Sequence, residues 1–499
     1  MLSPWYNIYN KDKRTRSVTM AYKCNDRMQR TLFPPLIEDY VTAEDPVRVY
    51  DAFVDSLDFE SLGISLEPKG GADEYYPKEM LKLTIYGSSY GIHSSRKLER
   101  ACHHNISFKW LMGDLTPQYR TIARFRSKHK EAIRKVLKQC VHICIKLDLI
   151  EGNTLFTDGS KFRANASISN TWTKEKCRQY LRKIDKKIDQ YIDESERIDA
   201  EENNQESMIK IKQNIQDKQA LMNKIKNTLE VLKKDNKTQL NTTDPDCIKA
   251  KSPQGTHASY NVQSTVDEKH GLIVNTEAVS QSNDSNQLSR QVSQASEILE
   301  KKPKNVCADS GYSSVKDFKE IDKDINVIVP SQKQAQKDND RHPLKPFDKE
   351  QFKYNKDADR YTCPEGNQLR YIGFSGGPTK KCYRAKAKIC RKCRYFGKEA
   401  GKCTNSKSGR KIIRLVDEEL KEQMESNYAS EQGQEIYKLR KQKVELPFGH
   451  FKRNLRVGQF MLRGKPKVNA EVAILATCFN ITRMISILGI PNLILALKS

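Results

Sequence analysis

Three acidic residues, Asp158, Asp309 and Glu445, have surroundings that suit them to chemistry. Asp158 lies within Leu155-Phe156-Thr157-Asp158-Gly159-Ser160-Lys161-Phe162-Arg163, a run that reads as a β-strand emerging from apolar helices. An ionised carboxylate in such a strand is expensive to bury without a partner. Shared with other carboxylates around a divalent cation, the same group becomes a metal ligand. Asp309 closes a short strand, Lys304 to Ala308, and is followed by Ser310-Gly311-Tyr312. Glu445 sits in a helical segment in which Lys441, Glu445 and Lys452 share one face, provided the helix continues past Pro447. Glu445 then completes a metal cage, while Lys452 and either Arg440 or Lys441 contact phosphates on the two sides of a scissile bond. Taken alone, that spacing describes an ordinary salt-bridged surface helix; Asp158 and Asp309 give it the sharper meaning.

The elements between these residues set whether they can meet. After Asp158 come two extended runs, His257 to Val266 and Gly271 to Val279, joined by an Asp267-Glu268-Lys269-His270-Gly271 turn. A helix follows from Asn286 to Glu300, with Leu288, Val292, Ala295 and Leu299 on one face, and Asp322 to Pro330 supplies a further strand. Strand, hairpin, helix, strand, with acids on the first and fourth strands, is the order of a ribonuclease H-like nuclease. In that α/β mixed sheet the first and fourth strands are neighbours, so Asp158 and Asp309 can share a metal.

The chain has 499 residues and a net charge of +25, which favours a polyanionic partner, nucleic acid first. No apolar run approaches the roughly 20 residues that span a bilayer. Ala470 to Leu497, interrupted by Asn480, Arg483 and Pro491, reads as a buried helix. No signal peptide is expected. Most of the 13 cysteines are scattered and read as reduced, buried small hydrophobes of a cytoplasmic protein.

Residues 1–31 are expected to be poorly ordered, and 32–150 to form an all-α, helix-turn-helix-like DNA-binding domain. Asp45-Pro46 opens its first helix and Tyr76-Pro77 its second. Lys69-Gly70-Gly71 is a loop, and Gly91 turns the chain into a short helix, Arg96 to His103. Thr116-Pro117 precedes a helix carrying Arg120, Arg124, Arg126 and Lys128, ahead of a longer helix from Glu131 to Leu149. Arg96, Arg120 and Arg124 are the candidate DNA contacts here; a solvated basic face is the plainer alternative.

The catalytic part is expected in 151–172 and 238–335, completed by helices in 413–499. Between its halves, 173–237 lacks Gly and Pro and shows two short apolar repeats, so a helical hairpin is expected there. Residues 336–412 form a basic, cysteine-containing insertion. Cys390 and Cys393 have the spacing of a metal knuckle, and Cys363 and Cys403 would complete a four-thiolate zinc site, leaving Cys382 over.

Jointly, Leu32-Phe-Pro-Pro35, Tyr76-Pro77, Gly91 to Glu99, Asp158 to Ala166, Ala308 to Tyr312 and Val444-Glu445 with Phe448-Gly449 resemble bacterial insertion-sequence transposases of the DDE class. Specifically, they resemble the group with a helical N-terminal domain and a cysteine-containing insertion. The resemblance implies the triad Asp158, Asp309 and Glu445, and a helix signature Tyr437, Arg440, Glu445 and Lys452 whose Arg-to-Glu gap is one residue longer than the usual form. It further implies two Mg2+ ions, with Mn2+ as a substitute, that serve cleavage at transposon ends and attack of the freed 3′-OH on target DNA. Lys161 and Arg163 become DNA-facing neighbours of Asp158. Double-stranded DNA is the implied partner, a homo-oligomer on DNA the implied assembly, and the nucleoid the implied place of action, with no membrane. The rival expectations are a metal-dependent nuclease that cuts without joining and an inactive, binding-only derivative.

Overall fold

The computed structural model describes residues 36–67, 74–200, 205–252, 255–337, 346–399 and 401–499. Residues 1–31, the Leu32-Phe-Pro-Pro35 block and the Lys69-Gly70-Gly71 loop lie outside the described residues. The chain divides after Tyr40 into two units, and the described part of the first contains one 3-10 turn, Ile37–Tyr40.

In the second unit, every element before Thr154 is a helix among the described residues. They are α1 (Val47–Asp55), α2 (Phe59–Leu62), α3 (Pro77–Ser89), α4 (Ser95–His104), α5 (Ile106–Met112), α6 (Tyr119–Lys128) and α7 (Lys130–Lys146). The Asp45-Pro46 start works as expected, because Asp45 Oδ1 accepts from Val47 N at 2.9 Å and caps α1. Two short helices, α2 and α5, are additional to the sequence reading. Asp58 caps the first and Asn105 the second, each accepting from two backbone amides of the first turn.

One side chain on α6 turns the other way from its expected basic face. Arg126 follows Ile122 by one helical turn, and that face is inward. It is 4 % exposed, donates to His93 O at 2.7 Å and lies beside the charge of Glu471.

The main sheet has six strands: β1 (Thr154–Arg163), β4 (Ile248–Ser252), β5 (Gly255–Asp267), β6 (Ile273–Val279), β7 (Asn305–Ala308) and β8 (Asn326–Ile328). Its order is β4-β5-β1-β7-β8, with β6 sharing the β4 edge of β5. The β5–β6 hairpin is antiparallel, and β1 runs antiparallel to β5 and parallel to β7. The expected neighbours therefore meet. Between β6 and β7 stands α10 (Leu288–Leu299), with Leu288, Val292, Ala295 and Leu299 buried as its period requires.

The segment after β1 makes a short ribbon, β2 (Thr171–Thr173) with β3 (Gln239–Asn241), from which α8 (Lys174–Ala200) and α9 (Gln205–Lys234) project. The two helices pack on each other through Cys177, Ile184, Ile225 and Leu232. After β7 come α11 (Val315–Glu320) and α12 (Gln332–Lys337). The basic insertion is a second, five-stranded antiparallel sheet: β9 (Lys353–Asn355), β10 (Arg360–Thr362), β11 (Gln368–Phe374), β12 (Lys380–Ala385) and β13 (Lys411–Leu415), with α13 (Ala387–Lys392) between the last two. No regular structure is expected there from sequence alone, because charged residues occupy the outward positions and mask the alternation.

The chain ends in α14 (Glu418–Ala429), α15 (Glu431–Gly449), α16 (Lys465–Leu488) and α17 (Ile490–Lys498). By length and composition α16 could cross a membrane, which corrects the expectation that no apolar run is long enough. Two thirds of its apolar window is buried, and it packs on α7, α3 and β6. Its polar residues explain why the helix belongs inside. Asn480 accepts from Ile273 N and donates to Ile273 O, both at 2.8 Å, and Asn469 Oδ1 accepts from Ala278 N at 2.6 Å. Two asparagines thus pair with the free edge of β6 in place of another strand. Replacing Asn480 with leucine should destabilise the protein by about 2–4 kcal/mol, because a buried N–H and C=O of Ile273 lose their partners. Chemical denaturation of the variant measures this directly.

Candidate functional site

Parallel pairing of β1 with β7 ends at Thr157 opposite Ala308. Asp158 and Asp309 are the next residues on the two strands, so they stand where the strands part. Asp158 remains paired to β5 on its other side, opposite Ser264. Asp158 Oδ1 accepts from Gly159 N at 2.9 Å, and Asp309 Oδ1 from Gly311 N at 2.8 Å. Burial pushes the Asp158 pKa up to about 6, with a further push from the Asp309 carboxylate. Asp309 is also raised, by burial first, against the opposing pull of Arg440. Asp158 therefore loses its proton less easily while Asp309 is charged.

The helix that follows supplies the cations. α15 packs on β1, β5 and β7. It passes through Pro447 and continues into a π-helical turn, His450–Asn454. Tyr437, Arg440 and Val444 lie on the inner side, and Glu445 and Lys441 are exposed. Burial opposes the Arg440 charge, yet Tyr437, Asp158 and Asp309 together hold its pKa above the usual value. Arg440 Nε is buried without a hydrogen-bond partner among the described residues. Between Arg440 and Lys441, it is Arg440 that faces the acids. Lys452 reaches β1, donating to Ser160 Oγ at 2.6 Å above the ring of Phe162. Burial lowers its pKa, and Asp158 partly restores it.

A fourth acid stands here that the sequence reading passes over. Asp284, in the β6–α10 connection, accepts from Asn261 Nδ2 and Gln263 Nε2, both at 2.8 Å. Gln263 Oε1 in turn accepts from the buried Tyr312 hydroxyl at 2.5 Å, so the network reaches the loop that carries Asp309. A Cβ at position 159 would collide with Asp284 Oδ1 and Gln263 Nε2, which is a steric reason for glycine beside Asp158. The charge of Asp284 raises the pKa of both Asp158 and Asp309. In the sequence, Asp284 sits where an acid before a helix reads as a cap, and nothing local sets it apart.

The remaining candidates lie elsewhere. Lys161 and Arg163 alternate with Asp158 along β1 and so point from the other face, Arg163 against His257 at 3.0 Å. Arg96 and Arg120 flank the ring of Tyr119 at 5.1 and 5.8 Å, and Arg124 is exposed. Cys363, Cys390, Cys393 and Cys403 line one cavity of about 30 Å³ in the insertion, while Cys382 is buried apart. Cys363 Sγ accepts from Asn367 N at 3.3 Å and Cys390 Sγ from Arg410 N at 3.4 Å. Among the described residues, no group of three His, Cys, Asp or Glu side chains is arranged to hold a metal as it stands.

Paired carboxylates opposite a buried arginine and a lysine suit an enzyme acting on a phosphodiester. Residues 35–128 match a transposase domain family (DUF772), and residues 362–485 match a transposase DDE domain family. No match is found among curated proteins or among solved structures. The two matches support an insertion-sequence transposase of the DDE class, an enzyme that acts on DNA, and such domains generally use divalent metal ions.

A raised carboxylate makes a prediction about stability. Asp158 has a higher pKa folded than unfolded, so its stabilising contribution is complete below about pH 4 and is lost as pH rises through about 6. In metal-free buffer, Asp158→Asn should therefore stabilise the protein at pH 8 by about 1–2 kcal/mol, allowing for partial exposure. The gain should vanish near pH 4. Thermal melts of both proteins across this range provide the check.

Proposed function

We propose that Asp158, Asp309 and Glu445 are the acidic triad of a ribonuclease H-like transposase core that cuts transposon ends and joins them to target DNA. The observation that carries this reading is the placement of Asp158 and Asp309 side by side where β1 and β7 diverge, with the Asp309 charge opposing that of Asp158. Such a pair favours a divalent cation, and its all-oxygen donor set suits Mg2+ or Mn2+. When bound, two such ions supply activation of the attacking water or 3′-OH and neutralise charge on the leaving oxygen.

The chain's own residues bind and orient the DNA. Arg440, with its unpartnered Nε, takes the scissile phosphate, and Lys452 takes a neighbouring one. Tyr437 stacks under the Arg440 guanidinium at 5.4 Å and restricts where it can point. Glu445 stands on the solvent side of the same helix, open to an approaching duplex. Asp284 deepens the negative field around Asp158 and Asp309 while its oxygen stays fixed by Asn261 and Gln263. Lys161 and Arg163, with Arg96, Arg120 and Arg124 of a helix-turn-helix-like N-terminal domain, hold flanking DNA. The working form is a homo-oligomer pairing two ends, in the cytoplasm at the nucleoid.

The four thiols around the insertion cavity form a structural zinc site in this reading. The two amide-to-sulfur hydrogen bonds support it, since they stabilise thiolates, and so does the Cys390–Cys393 spacing. Elemental analysis of purified protein should find one zinc per chain; a zinc-free, folded protein would exclude the site.

Asp158→Ala, Asp309→Ala and Glu445→Ala should each lower end cleavage and strand transfer by at least about a thousandfold while DNA binding stays within about twofold. Cleavage without joined product in the wild type would favour a nuclease, and a wild type inert with Mg2+ and Mn2+ a binding-only protein. Asp284→Asn keeps the acceptor oxygen and removes the charge. The metal concentration for half-maximal cleavage should then rise by roughly tenfold. An unchanged metal requirement would remove Asp284 from the site.

A further inference from the structure

The second sheet carries a row of four cations with no acid to answer them. Its register places Arg360 opposite Arg370, Arg370 opposite Arg384, and Arg384 opposite Lys411. These residues sit on four successive strands, β10 to β13, and on the same face. Strands lie about 4.8 Å apart, so the row is a ladder roughly 14 Å long with a positive charge at every rung. Like charges directly opposite each other in an antiparallel sheet are destabilising.

The other face of the same sheet shows how its cations are treated when the fold needs them. Arg414 pairs with Glu422 at 2.7 Å and stacks 3.9 Å from the ring centre of Tyr354. Lys381, its cross-strand neighbour, lies 3.7 Å from Asp359 and over Tyr371. On the ladder face, Arg360 donates to Gln368 and Lys411 to Ser375, both neutral. Arg384 Nε is buried without a partner, and Arg370 and Lys411 are exposed. Among the described residues, none of the four has an acidic partner.

We propose that this ladder is a binding track for the phosphodiester backbone of duplex DNA. It lies on the insertion, distinct from the acidic site, and rests on the reading of the chain as a transposase. Its spacing suits the proposal, because phosphates along one strand of a duplex recur every few ångströms while the ladder offers a charge at a comparable interval. Guanidinium groups add planar, paired donors for phosphate oxygens. The ladder carries no device for reading bases, so the track holds DNA of any sequence. Bound DNA relieves the repulsion within the sheet, which otherwise stands uncompensated.

The test is the salt dependence of binding to a random-sequence duplex, followed by fluorescence anisotropy. Arg360→Gln, Arg370→Gln and Arg384→Gln are combined in one variant, with Arg370→Gln alone as a milder second variant. The slope of log affinity against log salt should become shallower by about 0.9 for each lost phosphate contact, two to three units in the triple variant. Affinity at low salt should fall by roughly tenfold or more, while the melting temperature holds or rises as repulsion is removed. Arg370→Lys, which keeps the charge, should keep the wild-type slope. A steep wild-type slope left unchanged in both Gln variants would overturn the track alone. A wild-type protein whose binding ignores salt would overturn the track and the DNA-binding part of the proposed function together.

Discussion

Two carboxylates held side by side at the point where two parallel strands separate are the constraint on which the rest of this structure turns. Nothing in the folding of the sheet calls for acids there. Ordinary alternation would place apolar or hydroxyl side chains beside Thr157 and Ala308, which are both buried. The repulsion between Asp158 and Asp309 is tolerated because β5 clamps one side of β1 over nine residue pairs, from Leu155 opposite Asp267 to Arg163 opposite Ser259. The surrounding fold sets the acids' geometry, and their charge is left for a cation to answer. Arg440 and Lys452 then approach from α15 and the π-helical turn beyond it.

The same logic extends to the long buried helix α16. α16 lies between the N-terminal helices and the sheet, touching α7 and α3 on one side and β6 on the other. Its Glu471 accepts from Met461 N at 3.0 Å and Leu462 N at 3.1 Å and feels the charge of Arg126. Burial works against both charges, raising the carboxyl and lowering the guanidinium, so they are tolerable only together. The consequence is mechanical. Residues from both ends of the chain contribute to one continuous core that includes β1 and β7. The N-terminal helices and the sheet that holds the acids are therefore packed on the same apolar residues.

Much of the sheet and of its acids was legible because several independent signals agreed there. The pattern changes from helical to extended after Asp158, the Asp267–Gly271 turn closes a hairpin, and an acid lies on or directly after each of two strands expected to be neighbours. α16 is recognisable by its apolar composition, although Asn480 looks like an interruption; with Asn469 it is a residue that pairs with β6. Arg126 was misread because a basic helix looks solvated until the turn-by-turn position of Ile122 is weighed against it. Asp284 could not be singled out, since its meaning depends on Gly159, Asn261 and Gln263, which only the fold brings near. The second sheet was hidden for a related reason. A strand whose outward positions are arginine and lysine has the alternation of a strand but the composition of a loop. Arg360, Arg370, Arg384 and Lys411 lie apart in the sequence, and only the register aligns them.

The central claim is that Asp158 and Asp309 jointly hold the cation that serves DNA cleavage. Anomalous diffraction from crystals of the protein with a transposon-end duplex and Mn2+ tests it most directly. The account predicts a manganese peak between the Asp158 and Asp309 carboxylates, with Glu445 drawn in to the same peak and Arg440 on the adjacent phosphate. A peak bound elsewhere, or no peak between these two aspartates in a complex that cleaves its DNA, would contradict it.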